Sequence, residues 1–264
     1  MSAAFPADWL TLREPYDHAA RAAVLAGRLA AWAAGRGTLD IVDLGAGLGS
    51  NLRWLAPRLP SAQRWRLVEN DPALVERGQQ LCPQATYVRA DLVADLELAL
   101  RGPLDLISAS ALLDLVSAAW ARRLVAVVRA RRCAVLLAIS YNGRLALQPA
   151  DPLDGHVTEL VNRHQRHDKG FGPALGPTAA AVLSELLAAC DGELRAAPSP
   201  WRLEPQDAAL QSTLVSGWAA AAAAVAPADA ARIGAWRQRR LRWIAAHRSA
   251  IQVGHDDLLW LPRP

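Results

Sequence analysis

The sequence of 264 residues lacks several features that mark specialised classes of protein. Its three cysteines (Cys82, Cys133 and Cys190) stand in no paired spacing, so we predict neither a disulfide framework nor a zinc site. No apolar run approaches the ~20 residues that cross a bilayer. The N-terminal segment contains no apolar core of a signal peptide. These absences favour a cytoplasmic protein that does not associate with membranes.

Lysine is almost absent. Lys169 is the only lysine among 29 basic residues, and the formal net charge is +4. The arginines are dispersed along the chain, and their densest clusters, at 129–132 and 237–242, fall within or beside helical patterns. Solvated helix faces explain such clusters more simply than a nucleic-acid surface does. A nucleic-acid partner is therefore not favoured, although charge alone does not exclude one.

Hydrophobic residues make up 52% of the chain and charged residues 20%, which predicts a sizeable core. Short apolar segments alternate with helical patterns. Strands are predicted at 39–44, 64–68, 86–88, 104–108, 134–139, 193–196 and 257–261. Helices are predicted at 6–34, 51–59, 72–80, 111–115, 118–130, 178–189, 206–225 and 228–248. This alternation is typical of a parallel sheet covered by helices on both faces.

The stretch between 141 and 177 has no sustained period and is rich in proline, glycine and histidine. Loops of this length are usually functional or disordered. We therefore predict a long functional loop after the fifth strand.

A glycine-rich turn directly follows the first strand, as Gly45-Ala46-Gly47-Leu48-Gly49. Glycines allow a sharp turn and let a ligand approach the backbone closely, and the N-terminus of the next helix can receive an anionic group. The spacing differs from the Gly-x-Gly-x-x-Gly of dinucleotide-binding proteins. Asp43, just before the turn, could receive an ammonium group.

Acidic or polar residues follow the next three strands. Glu69 is placed to accept the hydroxyls of a ribose. Asp91 could accept an adenine amino hydrogen while Leu92 covers the ring, and Ser108 ends the fourth strand. Each acid alone could be an ordinary exposed residue. Because the carboxyl ends of parallel strands share one edge, the series together predicts a binding site for a nucleoside-containing ligand.

The segments Asp43–Gly49, Glu69–Asp71, Ala90–Leu92 and Asp105–Ser110 resemble the ordered motifs of class I S-adenosylmethionine-dependent methyltransferases. The resemblance covers about residues 38–140 and extends to the closing part of the chain, up to Leu261. It implies a Rossmann-like α/β fold with a seven-stranded, mostly parallel sheet, flanked by helices and ending in an antiparallel strand. It also implies a bacterial-type methyltransferase with S-adenosylmethionine as cofactor and S-adenosylhomocysteine as product.

Carried over by position, the resemblance assigns the predicted cofactor-binding residues. They are Gly45, Ala46 and Gly47 for the methionine part, Glu69 for the ribose, Asp91 and Leu92 for the adenine, and Ser108 near the sulfonium. Asp43 and Asn70 complete the predicted cofactor-binding set. We expect a single domain over residues 1–264. It would comprise a helical cap (1–37), the cofactor core (38–140), a substrate loop (141–177) and the C-terminal half of the sheet with a helical insertion (178–264).

The methyl acceptor is predicted to be a small molecule, modified on oxygen or nitrogen. Trp9, Arg13, Tyr16, Arg163 and Lys169 are the candidate substrate-binding residues, and the cations among them would suit an acceptor with an acidic group. His164 is the first candidate for a general base and His167 the second. Both could instead be ordinary loop histidines. The spacing of His164, His167 and Asp168 is too weak a pattern to predict a metal.

The Asn-Pro-Pro-Tyr motif of enzymes that methylate base amines is absent after the fourth strand. Two alternatives to a small-molecule methyltransferase stay open. One is an RNA or protein methyltransferase, and the other is a non-catalytic protein that retains cofactor binding. The sequence leaves open whether the protein is a monomer or a homodimer.

Overall fold

The apolar segments that alternate with helices form one sheet in the computed structural model, which describes residues 6–60 and 62–263. The strands are β1 (Leu39–Leu44), β2 (Gln63–Glu69), β3 (Thr86–Arg89), β4 (Leu106–Ser110), β5 (Ala134–Gln148), β6 (Gly192–Pro198), β7 (Trp201–Leu203) and β8 (Ala250–Pro262). The α-helices are α1 (Ala7–Ala20), α2 (Ala23–Ala33), α3 (Ser50–Leu55), α4 (Pro72–Leu81), α5 (Leu96–Ala99), α6 (Ala118–Arg131), α7 (Asp154–His164), α8 (Ala179–Ala188), α9 (Ala208–Val225) and α10 (Ala230–Ala245).

The strand order is β3-β2-β1-β4-β5-β8-β6, and β7 pairs with β8 beside this path. Strands β1 to β5 are parallel, whereas β8 runs antiparallel to β5, β6 and β7. The predicted fold class is confirmed, including the antiparallel last strand. The sequence predicted seven strands; β7, with three residues, is too short for a detectable alternating pattern.

Helices cover both faces of the sheet because alternate residues of the central strands point to opposite sides. In β1, Ile41 joins the core that packs against α2 and α3, and Val42 joins the core that packs against α6 and α8. A third apolar cluster lies between the far end of β5, the strands β7 and β8, and helices α7, α9 and α10. This cluster forms one wall of the site described below.

The prediction of a long loop at 141–177 is wrong. Strand β5 continues to Gln148, because its second half pairs with β8 up to the register Gln148↔Ala250. The same stretch contains α7, whose Val157, Leu160 and Val161 are buried. Outside these elements the stretch has a short turn at 149–153 and a longer irregular segment at 165–175. The prolines and glycines lie at the ends of these elements. The strand forms because it pairs with residues distant in sequence, which the local sequence pattern does not reveal.

Two predicted helices also differ from the structure. Residues 111–115 form a turn, in which Ala111 has a φ of +54°. The N-terminal helical pattern divides into α1 and α2 at Arg21 and Ala22. Helix α9 is long and apolar enough, by length and composition alone, to cross a membrane. In this fold it packs against α7 and α10, with Val215, Trp218 and Ala222 buried.

Candidate active site

The carboxyl ends of four neighbouring parallel strands place the predicted cofactor residues at one edge of the sheet. Asp43 of β1 pairs in register with Ser108 of β4, and Glu69 ends β2 opposite Arg89 of β3. Asp91 follows β3 by two residues. The crevice outside these strand ends is the usual ligand site of open α/β sheets.

The glycine turn after β1 uses backbone conformations that favour glycine. Gly45, Gly47 and Gly49 have φ values of +64°, +52° and +77°. A Cβ atom on Gly47 would lie 3.1 Å from the Leu10 side chain of α1, and one on Gly45 would lie 3.3 Å from Leu112. The turn is therefore a narrow cradle between α1 and the turn after β4, where added side-chain atoms have no room.

Glu69 holds the glycine turn in place. Its carboxylate accepts hydrogen bonds from the backbone N–H groups of Gly47 (2.9 Å), Asn70 (2.8 Å) and Asp71 (3.0 Å). A carboxylate offers about four lone-pair positions. The structure therefore leaves Glu69 room for about one ribose hydroxyl, rather than for the two that the sequence suggested.

We expect Glu69→Ala to weaken S-adenosylhomocysteine binding at least tenfold and to lower stability as well. Each hydrogen bond to a charged group contributes about 1.5–3 kcal/mol. Glu69 accepts one from the glycine turn and two from the residues directly after β2. Titration calorimetry and thermal melting measure the two effects. An unchanged affinity would contradict the placement of the cofactor at this edge.

Asp43 is buried beneath the glycine turn, with 1% of its surface exposed. One carboxylate oxygen accepts from Asn51 Nδ2 and from Ser108 Oγ, both at 2.6 Å. The other oxygen is buried and has no hydrogen-bond partner. Burial raises the Asp43 pKa from 3.8 to about 6, against the lowering effect of these two hydrogen bonds and of Arg21. Ser108 thus lies under Asp43 within a buried network.

Arg21, at the break between α1 and α2, is a buried cation of the same network. Its Nη1 donates to Asn51 Oδ1 at 2.6 Å, and its Nε lies 3.6 Å from Asp257 Oδ2. Burial lowers the pKa of Arg21, opposed by Asp257, Asp43 and Asp17. Two guanidinium nitrogens, Nε and Nη2, have no hydrogen-bond partner. Sequence reasoning missed this residue, because nothing local distinguishes one arginine of 28.

The unsatisfied atoms of this network fit the amino-acid part of the predicted cofactor. Buried polar groups without partners are rare and costly. An α-ammonium group would satisfy the free oxygen of Asp43, and an α-carboxylate would satisfy Nη2 of Arg21, whose Nε already faces Asp257. The residues present therefore fit S-adenosylmethionine at this position.

The remaining predicted cofactor residues lie along the same edge. Ala46 is buried, and its N–H donates to Val68 O at 3.0 Å. Asn70 is exposed next to Glu69. Asp91 is exposed and accepts from Val93 N at 2.8 Å, while Leu92 is 7% exposed and packs into the core. The exposed carboxylate of Asp91 keeps further acceptor capacity for a ligand.

A cavity of about 250 Å³ opens beside this edge of the sheet. Three indole rings, a phenol and aliphatic side chains make up most of its wall, and a few polar groups face it. The lining residues are Trp9, Arg13, Ala111, Asp114, Leu115, Ile139, Tyr141, Gln165, Lys169, Trp201, Leu214, Trp218, Val253 and His255. We call this space the indole pocket. Its apolar lining with few polar groups is typical of small-molecule sites.

Two strained backbone positions shape the indole pocket. Ala111 and Ile139 both have positive φ values, +54° and +53°, and such values are genuine outliers for a β-branched residue. Ile139 lies at a register shift between β5 and β8, and its N–H donates to Asp257 Oδ1 at 2.8 Å. Strain of this kind concentrates at functional sites, where the surrounding structure enforces it.

Asp114 is held at the pocket by the turn that follows β4. Its carbonyl accepts from Gly176 N at 3.0 Å, and the carbonyl of Val116 accepts from Leu175 N at 2.8 Å. The side chain is 9% exposed, and burial raises the Asp114 pKa to about 6 against the effects of its own backbone N–H, Arg13 and Lys169. Among the described residues, no other residue donates a hydrogen bond to its carboxylate.

Two cations face the pocket, and only Arg13 has an ion-pair partner among the described residues. Arg13 pairs with both oxygens of Asp17, at 2.9 and 3.1 Å, and lies over the rings of Trp9 and Trp201. Burial lowers the pKa of Lys169, whereas the charge of Asp114 raises it. The pocket therefore contains one carboxylate and one ammonium, each driven toward neutrality by burial.

His255 contributes a neutral polar group to the same wall. It is 5% exposed, and its Nδ1 atom is buried without a hydrogen-bond partner. Burial, aided by Arg13, lowers the His255 pKa from 6.5 to about 3. The ring stands 4.9 Å from Trp201 and 6.2 Å from Tyr141, measured between centroids.

The predicted substrate and catalytic residues divide between the pocket and its surroundings. Trp9, Arg13 and Lys169 line it. Outside it, Tyr16 donates its hydroxyl to Asp207 at 2.9 Å, and Arg163 is exposed. His164 and His167 are not lining residues either. His164 lies behind Lys169, with 3.4 Å between its Nδ1 and Lys169 Nζ, and burial lowers its pKa. His167 is exposed and stacks near His164, 5.4 Å away between ring centroids.

Sequence reasoning missed the polar residues that do face the pocket, Asp114 and His255, as well as Trp201 and Trp218. The only local signal for Asp114 is its position four residues after the fourth strand. His255 belongs to a strand whose neighbours are distant in sequence. In the described part of the chain, no group of three histidines, cysteines or acids could hold a metal ion.

Burial of neutral His255 predicts a pH-dependent loss of stability. With pKa values near 6.5 unfolded and about 3 folded, the unfolded chain binds the extra proton as the pH falls below 6.5. The free energy of unfolding therefore decreases toward acid by ~1.4 kcal/mol per pH unit from this residue. Asp43 and Asp114 act in the opposite sense, since their pKa values are raised.

The contribution of His255 is isolated by comparing wild type with His255→Gln, because both proteins share the two acids. We expect wild type to lose ~2–3 kcal/mol more than the variant between pH 7 and pH 4.5. Urea unfolding at the two pH values measures this difference. Equal losses in both proteins would show that His255 titrates normally.

No protein-family model and no curated protein matches this sequence. Solved structures do match. The YcgJ protein of Bacillus subtilis is 13% identical, covers 92% of this chain and 100% of its own, and has a TM-score of 0.50. The cyclopropane synthase MmaA2 of Mycobacterium tuberculosis is 11% identical over 90% of this chain and 83% of its own, with a TM-score of 0.46. The precorrin-6y C5,15-methyltransferase of Geobacter metallireducens is 14% identical over 69% and 76%, with a TM-score of 0.42.

At these identities the likeness concerns the fold alone. The chain has the fold of the class I S-adenosylmethionine-dependent methyltransferases.

Proposed function

We propose that the protein is an S-adenosylmethionine-dependent methyltransferase that acts on a small molecule. The observation that carries this proposal is the adjacency of the two sites. Asp257 accepts from Ala22 N (2.9 Å), next to Arg21, and from Ile139 N (2.8 Å), which lines the indole pocket. One buried carboxylate therefore ties the cofactor network to the wall of the pocket, and a methyl donor and an acceptor would meet between them.

In the proposed reaction, the residues of the cofactor edge bind S-adenosylmethionine and orient it. The backbone of Gly45, Ala46 and Gly47, held in place by Glu69, would contact the cofactor. Asp43 and Arg21 would hold its amino-acid group. Asp91 and Leu92 are placed for the adenine. When bound, the cofactor supplies an electrophilic methyl group on a sulfonium. Because such a methyl is already activated, holding the acceptor in line with it provides most of the required catalysis.

Helix α1 covers both sites and would exclude water from them. Leu10 lies over Gly47, and Trp9 and Arg13 line the indole pocket. The helix is fastened to α3 by Glu14, which pairs with Arg53 at 2.6 Å, and by His18, whose carbonyl accepts from Trp54 Nε1 at 3.0 Å. An enclosed site strengthens polar contacts to the ligand and prevents side reactions.

The arginine-rich C-terminal helix gives little support to a nucleic-acid substrate. Arg240 is fully buried and pairs with Asp154, and Arg239 pairs with Asp151 at 2.6 Å. These guanidinium groups serve the packing of α10 against the segment before α7, and they are not free to bind phosphates. The small volume and mostly apolar lining of the indole pocket favour a small acceptor instead.

Titration calorimetry with S-adenosylmethionine and S-adenosylhomocysteine tests the proposal, followed by transfer of a radiolabelled methyl group to a panel of small acceptors. We expect micromolar or tighter binding of both ligands, and labelled product from at least one acceptor. No affinity for either ligand would refute the proposal. Binding with no transfer to any small, protein or RNA acceptor would favour the non-catalytic alternative.

A further inference from the structure

The chemistry of the indole pocket restricts which acceptor it can take. Its walls are formed by Trp9, Trp201 and Trp218, with Tyr141 beside them. Flat rings pack well against indoles, in stacked or edge-to-face geometries that add to simple area burial. A cavity of about 250 Å³ is small, so the acceptor must be compact as well as planar.

A cationic acceptor is disfavoured, although indoles often bind cations. Arg13 already lies 5.9 Å from the centroid of the Trp9 ring and 5.0 Å from that of Trp201. Arg13 therefore already provides the cation–π partner for two of the three indole rings. Lys169 adds a second positive charge to the same wall. An ammonium ligand would meet like charge there.

An anionic acceptor is disfavoured too. The guanidinium of Arg13 is matched by both oxygens of Asp17. Lys169 lies within the electrostatic reach of Asp114 and contacts His164. Arg163, which the sequence suggested for an acidic group, is exposed and not part of the pocket. Among the described residues, the one cation of the pocket outside an ion pair, Lys169, already faces the charge of Asp114, so an additional negative charge would compete with that carboxylate for it.

Two polar groups in the pocket keep hydrogen-bonding capacity and can recognise a neutral ligand. The carboxylate of Asp114 receives no hydrogen bond from another described residue and faces the cavity. Nδ1 of His255, a lining residue on β8, is buried and has no hydrogen-bond partner. A carboxylate only accepts hydrogen bonds, so its partner on the ligand must be a donor.

We propose that the indole pocket takes a small, planar, aromatic acceptor that is neutral when it binds, and whose hydroxyl or N–H donates a hydrogen bond to Asp114. This inference rests on the proposed methyl transfer. In that reaction the oxygen or nitrogen of the acceptor forms a bond to the methyl carbon, and the sulfur–carbon bond breaks with its electron pair staying on sulfur. The proton leaves the acceptor for Asp114, whose raised pKa suits a general base near neutral pH.

Tryptophan fluorescence of the protein without cofactor gives a binding assay that does not depend on turnover. The probes are 2-naphthol and 2-aminonaphthalene, which carry a donor, and naphthalene, which does not. 2-Naphthoate tests an anion, tryptamine a cation, and decahydro-2-naphthol a non-planar alcohol. We expect the two donor probes to bind at least tenfold more tightly than each of the others. Whichever donor probe is preferred distinguishes an oxygen from a nitrogen acceptor.

The variant Asp114→Asn tests the role of the carboxylate. Replacing a charged acceptor by a neutral amide should weaken 2-naphthol binding about tenfold and leave naphthalene binding unchanged. Glu185→Gln, on the exposed face of α8, is the control and should bind every probe like wild type. If 2-naphthol and naphthalene bind equally to wild type, or if the anion or the cation binds best, the inference is overturned.

Binding measurements distinguish a failure of the proposed acceptor class from a failure of the proposed function. Wild type that binds S-adenosylhomocysteine but none of the aromatic probes would refute the acceptor class and leave methyl transfer standing. Wild type that binds 2-naphthol but not S-adenosylhomocysteine would refute the proposed function. With both ligands bound, Asp114→Asn should lower the rate of methyl transfer to the preferred probe by ~100-fold.

Discussion

Replacing Gly47 by valine is expected to reduce the affinity for S-adenosylhomocysteine by at least ~100-fold, which corresponds to about 2.7 kcal/mol. Gly47 has a φ of +52°, where a Cβ atom is strained. The added side chain would also start 3.1 Å from Leu10 and so fill the cradle between α1 and the glycine turn. Ligand atoms that must approach the backbone at this point would be excluded.

Gly37→Val is the matched control, because a Cβ atom there meets nothing within 4 Å and the position has no positive φ. We expect this control to bind S-adenosylhomocysteine like wild type. Thermal melting of both variants separates loss of the ligand site from loss of the fold. If Gly47→Val remains folded and retains wild-type affinity, the cofactor does not contact the glycine turn.

Replacing Arg21 by methionine should cost about 3–5 kcal/mol of stability, the range observed when one partner of a buried ion pair is removed. Arg21 is 6% exposed, lies 3.6 Å from Asp257 and interacts electrostatically with the buried Asp43. Methionine keeps an apolar stem against Trp54, whose ring lies 4.3 Å from the guanidinium carbon. The acids would lose their compensating charge. A shift of the melting temperature by ~10 °C is expected.

Arg122→Met, on the exposed face of α6, provides the control for the loss of one arginine and should melt within about 2 °C of wild type. Arg21→Lys keeps the charge but removes the planar fork that can bind a carboxylate at two points. It should therefore retain more stability than Arg21→Met while binding S-adenosylhomocysteine at least tenfold more weakly than wild type. Wild-type affinity in Arg21→Lys would show that Arg21 only balances the buried acids.

The sequence by itself determined the cofactor half of the fold. The strands β1 to β4 are short apolar runs, and Gly45, Gly47, Glu69 and Asp91 follow them at once. These signals are local: a strand ends, a turn needs glycine, and a carboxylate follows. Since parallel strands align their carboxyl ends, local order was sufficient to predict that these residues share one edge.

Only the tertiary structure decided the acceptor half. Strand β5 extends to Gln148 because it pairs with β8, more than a hundred residues later, and the predicted loop thereby becomes strand, helix and turn. Asp114 and His255 face one cavity although they lie on the turn after β4 and on β8. Arg21 became the central buried cation through contacts with Asn51 and Asp257. Such side chains acquire their burial, and hence their shifted pKa values, from residues distant in sequence, so no local pattern could distinguish them from ordinary surface residues.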